Sequence, residues 1–391
     1  MLGLRGSDLL AVRLRPGPEW LDVLGETWSA GAAVLPVDDR LPAARVEAML
    51  ARARPTVVLD EDGPTRRADG VPVEDGVRLV MATSGTSGEP KLVELTEAAL
   101  TSALDASAAR IGSGPGDPWL CCIPVAHMGG MLVLLRGVVG GARVDVHAGF
   151  DVDRFAEAAR GGARFASLVP TAVRRLLDAG VDLRGFGAIL VGGARTDAAL
   201  LERARAAGAP VVRTYGMTET SGGCVYDRRP LDGTEVRIAD EGAGEGPILL
   251  RTPALMRGYR FDARAAAVAI DAGGWFHTRD VGSFRDGRLV VHGRVDDVIV
   301  TGGEKVWPAR VEDAIRELPG VADVVVTGRP DPEWGERVVA MIVAADPQSP
   351  LSLESIRAHV SAELAPYAAP RELEIVREIP RTALGKLPRT S

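Results

Sequence analysis

Lysine is nearly missing from this chain. Lys91, Lys305 and Lys386 are the only lysines among 46 basic residues, and the rest are arginines. The skew reflects base composition, yet it makes each surviving lysine informative. A compact ammonium and a planar guanidinium fork are not interchangeable beside a phosphate or a carboxylate. Lys91 and Lys386 lie in glycine-bearing turns, and Lys305 lies in GGEKVWP. Cysteine is scarce too. Cys121, Cys122 and Cys224 are too few and too oddly spaced for a disulfide framework or a zinc site. The adjacent pair reads as buried apolar filler. No apolar run approaches the ~20 residues of a membrane span. The N-terminus, MLGLRGSDLLAVRLRPG, lacks a signal-peptide core. A net charge of −7 speaks against a nucleic-acid surface. The expectation is a cytoplasmic protein with no nucleic-acid partner. A homodimer is left open.

What is present is enough for several cores. With 391 residues, 46% hydrophobic and 25% charged, the chain is long enough for more than one domain. Residues 9–80 alternate apolar strands with helical spacing. Leu9–Leu14, GAAVLPVDD and Val57–Leu59 read as strands, and Glu19–Ala30 and Arg45–Arg52 as helices. This βαβα rhythm predicts parallel sheet covered by helices.

Around Lys91 the sequence reads MATSGTSGEPKLVELT. The run Val77–Met81 is a buried strand. Thr83, Ser84, Gly85, Thr86, Ser87 and Gly88 follow, with Lys91 close behind. Glycines allow close backbone approach, hydroxyls add donors and the lysine adds charge, which suits a polyphosphate. A flexible Gly/Ser turn is the plainer alternative. The Gly–Lys–Ser/Thr ending of a P-loop is missing.

Further on, Glu97–Arg110 reads as an Ala-rich helix. His127 falls in a break between an apolar strand and an apolar helix, either as a structural histidine or at a strand end where open α/β sheets keep ligands. Phe165–Pro170 reads as a strand and Thr171–Ala179 as a helix. Ala188–Val191 reads as a strand running into Gly192, Gly193 and Ala194, a turn that admits a flat ligand or is simply tight. Val211–Thr214 leads into TYGMTETSGGCVYD. There Tyr215 can stack on a base, Thr218 can bond a phosphate, and Glu219 can hold a hard cation. Residues 233–293 are short strands and glycine turns, a β-rich subdomain, with Asp280 placed in a turn after Trp275 and Phe276 to clamp ribose hydroxyls. GRVDDVIVTGGEKVWPARVE then reads as a boundary. Helices Val311–Leu318 and Leu353–Leu364 and strands Val321–Gly328, Arg337–Ala344 and Leu373–Val376 predict a small α+β domain.

Together GAAVLPVD, TSGTSGEPK, the turn at His127, GGA, TYGMTET, WFHTRD, GRVDD and PRTALGK resemble the adenylate-forming superfamily of acyl-CoA synthetases, luciferases and adenylation domains. The resemblance covers nearly the whole chain. Within it, TYGMTETSGGCVYDRRPLDG is especially similar to the 2-succinylbenzoate–CoA ligases of actinobacteria, which serve menaquinone biosynthesis. The resemblance implies an α/β fold with a large N-terminal domain, 1–293, a hinge at 294–297, and a small mobile domain, 298–391. It implies an acid–thiol ligase using ATP, Mg²⁺ and coenzyme A on a small carboxylic acid, through an acyl adenylate. An acyl- or aryl-CoA ligase for another acid, or a nucleotide-binding module acting on a partner protein, are the alternatives.

Residue by residue, the resemblance assigns Ser84–Gly88 and Lys91 to the β- and γ-phosphates. Gly193, Ala194 and Tyr215 would frame adenine, Thr218 would touch the α-phosphate, and Glu219 would bind Mg²⁺. Asp280 and Arg294 would hold the ribose, and Lys386 would bridge carboxylate and α-phosphate. Asp296 matches the hinge, or is a solvated turn acid. For the acyl pocket we name His127, Thr171 and exposed amides of Ser221, Gly222 and Gly223, with Arg136 or Arg213 as further donors. Two residues depart from the superfamily pattern: Leu92 and Arg279 stand where glycine is common.

Overall fold

The computed structural model describes residues 2–83, 90–239 and 244–379. It divides into two compact units, Met1–Glu235 with Leu250–Phe276, and Val236–Leu249 with His277–Ser391.

The first unit holds two seven-stranded sheets. One orders its strands Gly258–Tyr259, Lys91–Thr96, Val77–Thr83, Ala33–Pro36, Leu9–Val12, Val57–Asp60 and Gly63–Arg66. The strand Leu9–Val12 pairs in parallel with Ala33–Pro36 and with Val57–Asp60. Its four residues are all fully buried, which is why the segment reads as a continuous apolar run. Side chains of a strand alternate faces. Leu10 and Val12 therefore enter one core while Leu9 and Ala11 enter another. The second sheet orders Arg229–Pro230, Gly222–Tyr226, Val211–Met217, Ala188–Val191, Phe165–Leu168, Pro118–Cys121 and Arg143–Val146.

Helices Glu19–Ser29, Glu97–Ile111 and Met128–Val138 supply the core that faces both sheets, through Trp20, Leu100, Leu104 and Met131. Helix Ala43–Ala53 covers the far face of the first sheet. Helices Val152–Arg160, Pro170–Asp178 and Ala198–Ala206 cover the far face of the second. Each fully buried large side chain contributes about 1.5–3 kcal/mol. Cys121 and Cys122 are buried thiols, as expected, and Cys224 is buried too.

The second unit contains a four-stranded sheet ordered Glu235–Ile238, Gly246–Arg251, Phe276–Arg285 and Arg288–Arg294. It also contains a smaller sheet ordered Glu304–Val306, Ile299–Thr301, Gly335–Ala344 and Val321–Asp331, with Glu372–Ile375 added in parallel to Gly335–Ala344. Helices Pro308–Arg316 and Leu353–Glu363 bury Val311, Ile315, Ile356 and Val360 against that sheet. This is the small α+β domain expected from the sequence.

Two details differ from expectation. Lys91 is not part of the turn after Val77–Met81 but opens a strand that the sequence reading did not assign, Lys91–Thr96, antiparallel to Val77–Thr83. Leu92 is 1% exposed and fills the core beneath the sheet. Asp280 lies within strand Phe276–Arg285, not in a turn. The alternation of buried Phe276 and Thr278 with exposed His277 and Arg279 is the two-residue period of a strand. Among the described residues no helix is long and apolar enough to cross a membrane.

Candidate active site

The hairpin Val77–Thr83/Lys91–Thr96 sets Thr83 opposite Lys91, and the Thr83 hydroxyl donates to the Lys91 carbonyl at 3.4 Å. Ser84, Gly85, Thr86, Ser87 and Gly88 lie outside the described residues, as does Lys386. The Lys91 ammonium stands 4.4 Å from the centre of the Tyr259 ring. An ammonium is drawn to the negative face of an aromatic ring. Tyr259 pairs with Val93 on the same sheet.

In the second sheet, strand Val211–Met217 and strand Gly222–Tyr226 form a hairpin around a single 3₁₀ turn, Thr218–Thr220. Thr220 is buried. Its hydroxyl accepts from the Met217 amide at 3.0 Å and donates to the Gly222 carbonyl at 2.8 Å. That fixes the turn while leaving Thr218 and Glu219 partly exposed. Glu219 Oε1 accepts from the Tyr259 hydroxyl at 2.9 Å, and its carbonyl accepts from the Met256 amide at 2.7 Å. Burial, then the Glu219 charge and the hydrogen bond to it, push the Tyr259 phenol upward, so it stays a donor. The structure thus brings Lys91 and Glu219 onto one tyrosine, the first at its ring and the second at its hydroxyl.

Glu219 Oε2 carries no hydrogen bond among the described residues. A lone carboxylate with one oxygen unengaged suits Mg²⁺, which keeps several waters and binds through one or two carboxylates plus substrate phosphates. No group of three or more His, Cys, Asp or Glu residues that could hold a metal ion occurs among the described residues.

His127 caps helix Met128–Val138 in extended conformation. Its Nε2 lies 3.3 Å from the Arg40 guanidinium and 4.0 Å from Asp38 Oδ2. Asp38 and Arg40 follow strand Ala33–Pro36 and form a bidentate pair at 2.7 and 2.6 Å. Burial works against ionising Asp38, but the hydrogen bonds from Arg40, its charge and that of His127 together hold the carboxyl below its usual range. The sequence reading missed Asp38, Arg40 and Tyr259. The acids ending GAAVLPVDD were the signal for Asp38, and Arg40 follows them directly. Tyr259 is one of only four tyrosines in the chain.

Gly193 has φ of +78°, and a Cβ on Gly192 would meet the Thr214 hydroxyl at 2.3 Å. Both glycines therefore have backbone reasons to be there. Ala194 and Tyr215 are half-buried, and Thr171 is exposed on the first turn of its helix.

The expectation of exposed amides at Ser221 does not hold. Ser221 is 0% exposed, its amide donates to the Thr218 carbonyl and its hydroxyl donates to the Ala254 carbonyl at 2.7 Å. Gly222 is buried and Gly223 half-buried within the hairpin. Arg136 does not face a pocket either. It is 6% exposed, its guanidinium lies 4.2 Å over Trp119, and it donates to Ser107 at 2.7 Å. Tyr226, the last aromatic of SGGCVYD, hydrogen-bonds the same serine at 2.8 Å. Arg213 lies 3.8 Å from Asp227.

In the second unit, Asp280 and Arg294 are cross-strand partners, with Arg294 Nε 4.0 Å from Asp280 Oδ1. That Nε is buried without a hydrogen-bond partner. Asp296, in the turn after the strand, accepts from Arg279.

Comparison with known proteins joins these observations to a family. Residues 61–260 match the family described as AMP-binding enzyme, and residues 310–386 match the AMP-binding enzyme C-terminal domain. The chain is 43% identical to a probable 2-succinylbenzoate–CoA ligase of Mycobacterium tuberculosis over 334 residues, covering 82% of this chain and 85% of the relative. It is 34% identical to the 2-succinylbenzoate–CoA ligase of Listeria monocytogenes over 327 residues, 79% of this chain and 68% of the relative. Among solved structures it resembles the o-succinylbenzoate CoA synthetase (MenE) of Bacillus subtilis in complex with its acyl-adenylate intermediate. The TM-score is 0.84 at 26% identity, with 98% of this chain and 87% of that chain covered. The Bacillus protein has also been solved with ATP and a magnesium ion. The chain belongs to the AMP-binding enzyme family.

Proposed function

We propose that this protein joins 2-succinylbenzoate to coenzyme A with ATP, as an acid–thiol ligase of menaquinone biosynthesis. The observation that carries the reading is the 43% identity to the mycobacterial ligase over 82% of the chain. The adjacency of Lys91 and Glu219 supports the chemistry.

The reaction has two halves. A substrate carboxylate oxygen attacks the α-phosphorus of ATP and pyrophosphate leaves, giving the acyl adenylate. The coenzyme A thiol, losing its proton, then attacks the acyl carbon and AMP leaves. The first half brings two anions together, so preorganised positive charge and orientation lower its barrier most. Lys91 holds the β- and γ-phosphates beside Thr83 and the hydroxyl-rich segment that follows it. Glu219 holds Mg²⁺, which neutralises phosphate charge, and Thr218 contacts the α-phosphate. Gly193, Ala194 and Tyr215 frame the adenine. Asp280 accepts from the ribose hydroxyls while Arg294 Nε, buried and unsatisfied, offers a donor. His127, held by Asp38 and Arg40, and Thr171 face the acid.

The segment after the hinge at 294–297 would reorient between the two halves. In the adenylating orientation Lys386 bridges carboxylate and α-phosphate. The deciding experiment incubates the full chain with ATP, Mg²⁺, coenzyme A and a panel of carboxylic acids, read by pyrophosphate release and thioester formation. Preferred turnover of 2-succinylbenzoate supports the reading. Equal or better turnover of benzoates or fatty acids overturns the choice of acid.

A further inference from the structure

We propose that Tyr259 is a positioning residue that holds Lys91 and Glu219 apart at a set separation, keeping both charges available to the Mg²⁺–ATP complex. The proposal rests on the phosphate and metal roles given above to Lys91 and Glu219.

Lys91 and Glu219 belong to different sheets, and nothing in the local sequence of either fixes their distance. A cation and an anion left facing each other on a partly exposed surface would pair. Each would then have to be separated before a phosphate or a metal ion could use it. Among the described residues Lys91 and Glu219 form no ion pair with each other. The Tyr259 side chain touches both, its ring face 4.4 Å from the ammonium and its hydroxyl on Glu219 Oε1. A phenol serves both partners without carrying charge: the ring face attracts a cation and the hydroxyl donates to an anion.

The tyrosine is itself held on both flanks. Its backbone pairs with Val93, next but one to Lys91. The Arg260 amide donates to the Leu92 carbonyl at 2.8 Å, and the Met256 amide to the Glu219 carbonyl at 2.7 Å. Residues 256–260 therefore tie the lysine strand to the glutamate turn, and Tyr259 is 7% exposed within that tie. With Oε1 occupied by the phenol, Glu219 presents Oε2 in one orientation. Partners that orient a metal's ligands matter nearly as much as the ligands themselves.

The test uses the full-length protein and three variants, Tyr259→Phe, Tyr259→Leu and Glu219→Gln. Equilibrium ATP binding is titrated with MgCl₂, AMP binding is measured without divalent cation, and thermal midpoints are recorded. Phenylalanine keeps the ring and removes the donor. Tyr259→Phe should raise the half-saturating Mg²⁺ concentration about tenfold while AMP affinity and thermal midpoint stay near wild type. Tyr259→Leu should in addition weaken ATP binding at saturating Mg²⁺. A wild-type Mg²⁺ requirement in Tyr259→Phe, with a raised one in Glu219→Gln, sinks the role of the tyrosine and leaves the site intact. An unchanged requirement in Glu219→Gln sinks the metal role of Glu219 and the inference with it. Should Tyr259→Leu fail to fold, Tyr259→Phe alone decides.

Discussion

Gly216 and Gly222 approach each other so closely that a Cβ on Gly216 would stand 2.0 Å from the Gly222 carbonyl oxygen. The contact lies where the ladder between the two hairpin strands shifts register, between Tyr215 and Gly216. Ser221 follows the 3₁₀ turn at φ of +49°, and Gly222 at +96°. The hairpin is thus pinched, and the pinch sets the turn carrying Thr218 and Glu219. The glycines of TYGMTETSGG thus have backbone reasons to be there.

Gly216→Ala should therefore destabilise the protein by about 3 kcal/mol, because the obstructing atom is backbone and cannot turn aside. Mg²⁺-dependent ATP binding should fall with it. Gly25→Ala is the matched control. Gly25 lies inside helix Glu19–Ser29, and apart from its chain neighbours and the surrounding helix backbone no atom comes within 4 Å of its missing Cβ. Alanine there should stabilise by about 0.5–1 kcal/mol. Chemical denaturation of the two variants checks both signs.

A second expectation concerns acid. The Asp38 carboxyl is held below its usual range by Arg40 and His127 against the cost of burial. A carboxyl with a depressed folded pKa contributes stability above its unfolded value, near 4, and loses that contribution as pH falls through the folded value. Asp38→Asn should therefore be less stable than wild type at neutral pH, and the gap should close below about pH 4. Thermal midpoints recorded from pH 3 to pH 7 would show it. A gap that stays constant over this range would remove Asp38 from the acid response.

How much of this was legible from sequence depended on how local the causes were. The parallel strands Leu9–Val12 and Ala188–Val191 are buried on both faces, so their apolar runs announce them. Helix Pro170–Asp178 was legible by its apolar spacing as Thr171–Ala179, but Pro170, read as the end of the strand, is its first residue, where proline is favoured. Strand Lys91–Thr96 was not legible, because it carries a buried glutamate. Glu94 is 4% exposed and is neutralised by Arg260, which donates to it at 3.1 Å from 166 residues further along. No window around KLVELT contains that arginine. Tyr259 was hidden for the same reason: its partners lie in two other elements. Motif matching found Lys91 and Glu219 separately, but only the fold shows the side chain that both contact.

Arg136 gives a third prediction, and it separates packing from binding. This buried guanidinium has an aromatic face and a serine as neighbours, and burial lowers its pKa, only partly offset by Tyr226. A buried charge without a carboxylate partner contributes little net stability, and an apolar residue of similar volume often replaces it without loss. Arg136→Met should shift stability by no more than about 1–2 kcal/mol, and KM for the acid should not change. A large rise in KM for the acid with unchanged KM for ATP would instead make Arg136 a carboxylate anchor. Denaturation and steady-state kinetics on one preparation distinguish the two.

The rarity of lysine supplies the last prediction. In a chain where 43 basic residues are arginines, Lys91 stands at the tip of the hairpin with its ammonium over the Tyr259 ring. Arginine is longer, planar and equally fond of aromatic faces. Lys91→Arg should therefore keep the ring contact and the charge, yet displace the positive centre and spread it over a fork. If charge alone matters, ATP affinity and pyrophosphate release should survive. If the position of a point charge matters, as the phenol seat implies, pyrophosphate release should fall about tenfold or more, since misplacing a group by ~1 Å can reduce rate by up to ~10²-fold. Lys91→Ala supplies the reference for losing the charge altogether. We expect Lys91→Arg to lie nearer to Lys91→Ala than to wild type in adenylation, with thermal midpoints of all three alike. An arginine variant as active as wild type would mean that chemistry did not spare this lysine from the compositional skew.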